Sequence, residues 1–449
     1  MKYWQHSVAL ALAGFITTTH AGDLMGAWQA AQLHDPEIAA ARALQEQATF
    51  RLEQAQALWA PVLSAGGALG VGGADSRTKG AEAMGQSDVT FKTNTNVGAI
   101  AQANIGAQKA WINPEREAQS QQLRLSAEIA QVQWQQAQQR AIMRTAQRYF
   151  DVVGSELTLA VLQRQQKTVQ QAATEIKKRQ AIGDASIMDV QEANARVSEI
   201  RAQVLTQEND LVMKNLAYRQ LMGQAPNQLM GIAPVDLVPQ GLADVNVWVQ
   251  RAKKQSPQLQ MMGLQQAIQA QEAKRVKAGD ARTVDWVAKA QMDRLFGQGM
   301  YGSASNQTAQ YMVGVQLQAP LSTGGMVDAR EREALKQLEK LRYDQEAAEL
   351  QIEQQVRDAW QNLNTASARL QALSQSAQAS NTRLIATRQA HRTGARTTNE
   401  WLGAEQAAAQ AEQALLQLRI QTVVDHLRLY AASGELDEQK LRLINALLK

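Results

Sequence analysis

The chain has 449 residues, of which 45% are hydrophobic and 20% are charged, a balance typical of a folded protein rather than a disordered one. Its formal net charge is only +4 and no long run of lysine and arginine occurs, so the composition argues against a nucleic-acid-binding protein. The absence of cysteine argues against disulfides, thiolate zinc sites, cysteine nucleophiles and lipid attachment through cysteine.

The first 21 residues have the layout of a secretory signal peptide. Lys2 precedes an apolar run at residues 8–16, and small residues follow at Thr19 and Ala21. This run is too short to cross a bilayer as a helix. We therefore predict a signal peptide over residues 1–21, cleavage near Ala21 and an exported mature chain. The alternative is an N-terminal helix that is buried in the fold.

Long stretches with little glycine or proline predict long helices. Residues 326–393 contain neither residue type, and residues 115–182 contain only Gly154. At ~1.5 Å per residue, each stretch corresponds to about 100 Å of helix. Shorter stretches of the same kind follow at residues 184–222 and 404–433. The apolar positions form narrow stripes, which suit coiled-coil packing against neighbours on two sides.

Four segments between these helices alternate apolar and polar residues, a pattern that indicates strands with one apolar face and one wet face. Loops rich in glycine, serine and asparagine are predicted to join the strands in pairs, over residues 74–88 and 297–308. The predicted strands cover residues 62–73, 89–105, 282–296 and 310–320.

Motifs for catalysis are missing from the sequence. The run "GGALGVGG" lacks the following lysine, hydroxyl residue and helix that a phosphate-binding loop requires. Beyond the predicted signal peptide, His34, His391 and His426 lie far apart without metal-ligand spacing, and no nucleophile elbow occurs. We therefore predict that the protein is not an enzyme and uses no cofactor or metal.

The pattern of helices and strands occurs twice, at a separation of about 210 residues. For example, "YRQLMG" ends at Gly223 and the similar "LYAASG" ends at Gly434. The predicted organisation has a first repeat over residues 22–223, a connector over residues 224–256, a second repeat over residues 257–434 and a C-terminal tail over residues 435–449.

An export signal followed by four one-sided strands indicates an outer-membrane β-barrel. Four strands cannot close a barrel, and an open edge inside a bilayer would leave backbone groups unpaired. Known barrels begin at about eight strands. The chain is therefore predicted to pool its strands with copies of itself, and the sequence pattern alone allows eight strands from two copies or twelve from three.

Four segments carry a family resemblance: "APLSTGGMVDAREREA" (319–334), "RTGARTTNEWLGAEQA" (392–407), "SIMDVQEANAR" (186–196) and "ASGELDEQKLRLINALLK" (432–449). They resemble the TolC-type outer-membrane efflux and secretion ducts, and the resemblance covers essentially all of the mature chain. It implies a mixed α+β membrane protein: a homotrimer whose twelve-stranded barrel, with four strands from each chain, continues into a long periplasmic α-helical barrel. The connector and the tail would form an equatorial region.

The resemblance also implies a function and partners. The expected function is a passive outer-membrane exit duct in a tripartite export system, with a periplasmic adaptor (membrane fusion) protein and an inner-membrane ABC or proton-driven transporter. We favour type I protein secretion, because many efflux relatives carry an N-terminal lipid on a cysteine that this chain lacks. Small-molecule or drug efflux is the alternative, and a periplasmic coiled-coil scaffold is an alternative of another class.

Two similar turns, "GDASIMD" (183–189) and "GARTTNE" (394–400), stand between predicted helices. In each turn a glycine is followed by a hydroxyl residue and then, three positions later, by an acid. This spacing predicts a capping box, and acids in a first helical turn are favoured by the helix dipole. The glycines, Gly183 and Gly394, are predicted to form the helix turns.

The resemblance gives the same turns a second role at the periplasmic entrance of the tunnel. Asp189 and Arg396 match the family's inter-helix pair, and Glu400 matches one acid of a ring that helps to keep the entrance shut.

Three positions near the turns depart from the family pattern. Gly403 replaces a second acid of the ring, His391 replaces a tyrosine and Met188 replaces a threonine. We therefore expect weaker cation selectivity and a less tightly closed entrance. As a further hypothesis, His391 makes closure depend on pH near its unperturbed pKa of about 6.5.

Overall fold

A computed structural model describes residues 22–83, 85–233, 242–299 and 302–448. The predicted signal peptide and residues 234–241 of the predicted connector lie outside the described residues. The elements are α1 (Leu24–His34), α2 (Pro36–Ala57), β1 (Val62–Ala83), β2 (Gln86–Ile112), α3 (Pro114–Ala181), α4 (Ile187–Met222), α5 (Val245–Gln255), α6 (Pro257–Lys277), a 3-10 turn (Ala278–Asp280), β3 (Thr283–Gly299), β4 (Gly302–Gln318), α7 (Met326–Arg392), α8 (Thr398–Ala432) and α9 (Glu438–Asn445).

The described residues form a mixed α+β fold, as predicted, and the chain divides into two compact units. The sheet unit contains residues 43–133 and 260–347, and the helical unit contains residues 22–42, 134–259 and 348–448. Within the described residues, no helix is long and apolar enough to cross a membrane.

The sheet unit contains one antiparallel sheet with the strand order β1-β2-β3-β4. Its register places Leu63 opposite Ala107, Ile105 opposite Ala290 and Trp286 opposite Val315. Because directly opposite residues share a face, most large apolar residues of the four strands lie on one face, whereas Ile100, Val287 and Leu295 lie on the other. This apolar face is exposed along its length, with large side chains at Leu63, Leu69, Val71, Ile105, Trp286, Met292, Phe296, Tyr311, Val313, Val315 and Leu317.

The opposite face of the sheet is mainly polar. Gln108, Asp285, Lys289 and Gln310 lie on this face. Gln108 Nε2 donates a hydrogen bond of 2.9 Å to Asp285 Oδ2. The sheet therefore has the one-sided character that the sequence predicts, and the exposed side is the apolar one.

The strands are longer than predicted. The segments predicted as loops, residues 74–88 and 297–308, lie mostly in strands, and the ladder continues through pairs such as Thr78–Phe91 and Phe296–Ser305. Glycine, serine and asparagine have low intrinsic strand propensity, but antiparallel pairing satisfies their backbone groups and overrides it. The loop prediction for these two segments was wrong for this reason.

Three glycines stand in a row across the sheet. Gly98 of β2 lies opposite Gly72 of β1 and Gly297 of β3. A Cβ atom on Gly98 would lie 2.2 Å from the carbonyl oxygen of Phe296, which is part of the backbone and cannot rotate away. The close approach of β2 and β3 at this level therefore requires glycine at position 98.

We predict that Gly98→Ala destabilises the sheet by about 1–3 kcal/mol, the usual cost of overpacking. Gly314→Ala is the matched control, since Gly314 lies on the same sheet face with open space around its Cβ position. The measurement is the midpoint of thermal unfolding of the purified protein. Equal midpoints for the two variants would contradict the close approach.

The helical unit has a core made by α1, α3, α4, α8 and α9. Tyr149 of α3 is fully buried there, and its hydroxyl lies 2.9 Å from the carbonyl oxygens of both Gly22 and Met230. Isolated β-bridges join Gly22 to Leu229 and Ile232 to Leu448. The start of the described chain, the described part of the predicted connector and the C-terminal tail are therefore held together around one buried tyrosine.

Candidate functional site

Two helix turns of the helical unit carry most of the predicted site residues. Gly183 lies between α3 and α4 with a φ of +81°, and Gly394 lies between α7 and α8 with a φ of +74°. Nothing lies within 4 Å of a Cβ atom built on either glycine. The left-handed backbone, and not crowding, is therefore the reason for glycine at both turns.

The structure confirms a capping box at each turn. Ser186 Oγ accepts from the backbone N–H of Asp189 at 3.1 Å, and Asp189 Oδ2 accepts from the backbone N–H of Ser186 at 3.0 Å. Thr397 and Glu400 make the same reciprocal pair at 3.2 and 2.8 Å. Each box satisfies backbone donors that the first turn of a helix leaves without partners.

The same hydrogen bonds lower the pKa of both acids. The Ser186 hydroxyl and backbone N–H lower the pKa of Asp189, and the Thr397 N–H together with Arg396 lowers the pKa of Glu400. Both side chains are exposed to solvent. The two turns therefore carry full negative charges at neutral pH.

Within one chain, the structure does not bring Asp189 and Arg396 together. The guanidinium of Arg396 contacts the carboxylate of Glu400 in its own turn. The α3–α4 turn has a different ion pair, in which Arg179 Nε lies 2.7 Å from Asp184 Oδ2. Each turn thus neutralises part of its charge with a local arginine.

His391 is buried, with only 4% of its surface exposed. Its Nε2 atom lies 3.1 Å from Thr398 Oγ1, and its ring centroid lies 5.0 Å from that of Trp401. Burial lowers the pKa of His391, while the nearby charge of Glu175 raises it and that of Arg179 lowers it further. Because the pKa of His391 is lowered, the imidazole is neutral at pH 7. Any dependence of closure on His391 is therefore expected at a pH below 6.5.

Trp401 anchors an apolar cluster close to the α7–α8 turn, a role that the sequence pattern did not predict. It packs with Leu402 of the same helix, with Val169 of α3 and with Ile200 and Val204 of α4. The sequence signal was an aromatic residue one position after the capping acid, in "NEWLG". This cluster packs the start of α8 against α3 and α4.

The remaining predicted site residues are exposed. Met188 has 75% of its surface exposed beside Ile187, which is also exposed. Gly403 is exposed as well, and a Cβ atom at this position would meet nothing within 4 Å. Packing therefore does not require glycine at position 403, and an acid could be accommodated there.

Groups of three or more side chains that could hold a metal ion are absent from the described residues. The site consists of helix caps, two ion pairs and one buried imidazole, a set that can hold helix ends in place or release them.

Comparisons with known proteins identify relatives. The sequence model of the outer membrane efflux protein family matches residues 248–435. The chain is 24% identical to outer membrane protein TolC of Escherichia coli over 445 residues, which cover 98% of this chain and 87% of that protein. It is 26% identical to the alkaline protease secretion protein AprF of Pseudomonas aeruginosa over 273 residues, covering 59% of this chain and 55% of AprF.

Among solved structures, the chain has the fold of the outer membrane protein VceC of Vibrio cholerae. The TM-score is 0.72 at 16% identity, and the alignment covers 92% of this chain and 96% of VceC.

We predict that the α7–α8 turn loosens as the pH falls below 6.5. A folded-state pKa below the unfolded value stabilises the packed turn at higher pH, and this contribution is lost as the pH falls towards the folded pKa. Hydrogen exchange over residues 391–401, corrected for the intrinsic rate, should accelerate between pH 7 and pH 5. His391→Gln should remove the extra acceleration, whereas His34→Gln, at an exposed histidine of α1, should leave it unchanged.

Proposed function

The chain is a member of the TolC-type outer membrane efflux protein family, and from this premise we propose that it is the outer-membrane exit duct of a tripartite export system. We further propose that it acts as a passive trimeric pore for type I protein secretion. Proteins of this family are channels and not enzymes. The observation that carries the proposal is the exposed apolar face of a four-stranded sheet with two open edges.

The sheet edges support assembly with copies of the same chain. Within the described residues, β1 pairs only with β2, and β4 pairs only with β3. Backbone groups along both edges would lack partners inside a bilayer, which a membrane-spanning structure does not tolerate. Three chains, each adding β1 of one copy to β4 of the next, would give a closed barrel of twelve strands.

The helices supply a second argument for neighbouring copies. On α4, Leu205, Val212 and Leu216 are exposed at spacings that place them along one helix face. Within α7, Leu335, Tyr343 and Leu350 are exposed at spacings of eight and seven residues. Such stripes match seams between packed helices. We propose that neighbouring chains cover them in a periplasmic helical barrel.

The proposed organisation has two repeats, residues 22–223 and 257–434. In its support, the order helix, strand, strand, long helix, shorter helix occurs twice among the described elements. Residues 224–256 and the tail 435–449 would form the equatorial region. The contacts of Gly22, Leu229 and Leu448 join these parts of the chain and support their assignment to one region.

We propose that the two turns lie at the periplasmic entrance and contribute to its closure. Within one chain, Arg396 is paired with Glu400 and Asp189 caps α4. A pair between Asp189 and Arg396 would therefore form only in the assembly, where different helices meet. Glu400 supplies one acid per chain, and Gly403 supplies none. The entrance ring of a trimer would then hold three carboxylates at this level, which favours weak cation selectivity.

Protein secretion is favoured over small-molecule efflux because a relative, AprF, is named for secretion of alkaline protease. The family name itself refers to efflux, so efflux is the second candidate. Both candidates need a periplasmic adaptor protein and an inner-membrane ABC or proton-driven transporter. Deletion of the gene separates them, because loss of a secreted protein indicates secretion and increased drug sensitivity indicates efflux.

We predict that Arg396→Ala increases the single-channel conductance of the purified mature protein in a planar bilayer. The Arg396–Glu400 pair is exposed, and solvent screening makes an exposed ion pair weak, so its loss should not unfold the turn. A larger conductance would therefore report a change at the entrance. Arg442→Ala is the matched control, since Arg442 forms the same kind of exposed pair with Glu438 in α9.

Equal conductance steps for wild type and Arg396→Ala would be compatible with the proposed duct. They would contradict a role of Arg396 in closing the entrance and leave the turn with helix capping alone. Failure of folded wild-type protein to insert would refute the duct and favour a periplasmic scaffold. Conductance of His391→Gln that keeps the pH dependence of wild type would remove His391 from the closing mechanism.

We predict that Val212→Glu weakens the trimer, because it would place a charge in the proposed seam between chains. Thr206→Glu introduces the same charge on α4 at an exposed position on another side of the helix. Sedimentation of the detergent-solubilised protein should show smaller species for Val212→Glu only. Trimers of unchanged stability in that variant would argue against a seam along α4.

A further inference from the structure

We infer that Lys109, together with the stacked pair Trp111 and Trp286, forms a binding site for the headgroup of an acidic phospholipid at the rim of the sheet where α3 begins. This inference rests on the proposed placement of the sheet in a membrane. It adds to that placement a site with a defined ligand chemistry.

The first observation is the stack of two tryptophans. The ring centroids of Trp111 and Trp286 lie 5.5 Å apart with an interplanar angle of 26°. Both rings are about half exposed, and Trp286 belongs to the apolar face of the sheet. Tryptophan is enriched where hydrocarbon meets water, because its ring is apolar and its N–H is polar. The stack therefore marks the level of one membrane–water boundary.

The second observation is the position of Lys109 on the same face. Lys109 lies directly opposite Trp286 in the register of β2 and β3, so the two side chains share the apolar face. Among the described residues, no carboxylate forms an ion pair with Lys109. A lysine at a membrane boundary keeps its stem along apolar surface and its ammonium at the headgroups. A cation without a protein partner at this level is complementary to a phosphate that carries net negative charge.

The third observation is the distance along β3 between the level of Lys109 and Trp286 and the next charged residue on the apolar face, Arg294. Arg294 follows Trp286 by eight residues along β3, lies opposite Ala101 and Gln307, and donates a hydrogen bond of 2.9 Å to Gln307 Oε1. Eight residues correspond to about 27 Å of strand. At a strand tilt of ~40° this is about 20 Å of height, comparable with the ~25 Å apolar band of outer-membrane barrels.

The large side chains on the apolar face between these two levels are apolar. They include Met292 of β3 and Tyr311 and Val313 of β4, and Phe296 lies just beyond Arg294. Lys109 therefore stands at the end of a long apolar stretch of this face, at the rim nearer to α3. A second exposed cation, Arg282, precedes β3 at the same rim.

The experiment titrates phosphatidylglycerol or phosphatidylcholine into the detergent-solubilised mature protein and counts bound lipid by native mass spectrometry. Wild type should bind phosphatidylglycerol more tightly than phosphatidylcholine, and 0.5 M salt should reduce the difference. Lys109→Gln should weaken phosphatidylglycerol binding about fivefold, the effect expected for one lysine near an anionic surface. Lys109→Arg should preserve the binding.

Lys92→Gln is the matched control, since Lys92 is exposed on the same strand but lies far from the tryptophan stack. Equal affinities of wild type for the two lipids, or an unchanged affinity in Lys109→Gln, would overturn the site. Displacement of the lipid by inorganic phosphate would also overturn it, because the site would then bind free anions. Conductance is measured separately, so a conducting wild type without the lipid preference refutes this site and leaves the proposed pore intact.

Discussion

The free edges of β1 and β4 impose the main physical constraint on this protein. A backbone N–H or carbonyl group inside a bilayer has no water to bind, so each group needs a partner from protein. The described sheet has four strands, and it exposes its apolar face. An exposed apolar face is unfavourable for a single chain in water, and open strand edges are unfavourable for a single chain in lipid. In the proposed assembly, other copies pair with the two edges and complete the sheet, and the seams proposed along α4 and α7 are consistent with that assembly.

The glycines and aromatic residues of the sheet follow from the same constraint. The row of Gly72, Gly98 and Gly297 allows three strands to approach closely, and strong curvature is easier where no side chain crowds the face. The stack of Trp111 and Trp286 marks a boundary of the proposed membrane band. A barrel assembled from several chains would repeat both features in each copy. The glycine row and the tryptophan stack would then each lie at one height around the whole barrel.

The two helix turns combine a structural role with a proposed functional one. Capping boxes and left-handed glycines account for the residues at positions 183–189 and 394–400 without any reference to gating. The local pairs of Arg179 and Arg396 show that the charges have partners in an isolated chain. Because exposed pairs are weak, these partners can be exchanged at low cost when neighbouring helices approach. A gate built on such turns would open without unfolding its helices.

The sequence by itself determined the elements and the wet and apolar faces of the sheet, since periods of 3.6 and 2 residues are local properties of the chain. It also determined the two capping boxes, because each depends on residues three positions apart. It did not determine the lengths of the strands at residues 74–88 and 297–308, where pairing with a neighbouring strand outweighs low propensity. Only the tertiary structure decided that His391 is buried against Trp401 and that Lys109 lies opposite Trp286. These contacts depend on packing between helices, on side-chain conformation and on strand register, which distant parts of the chain fix together.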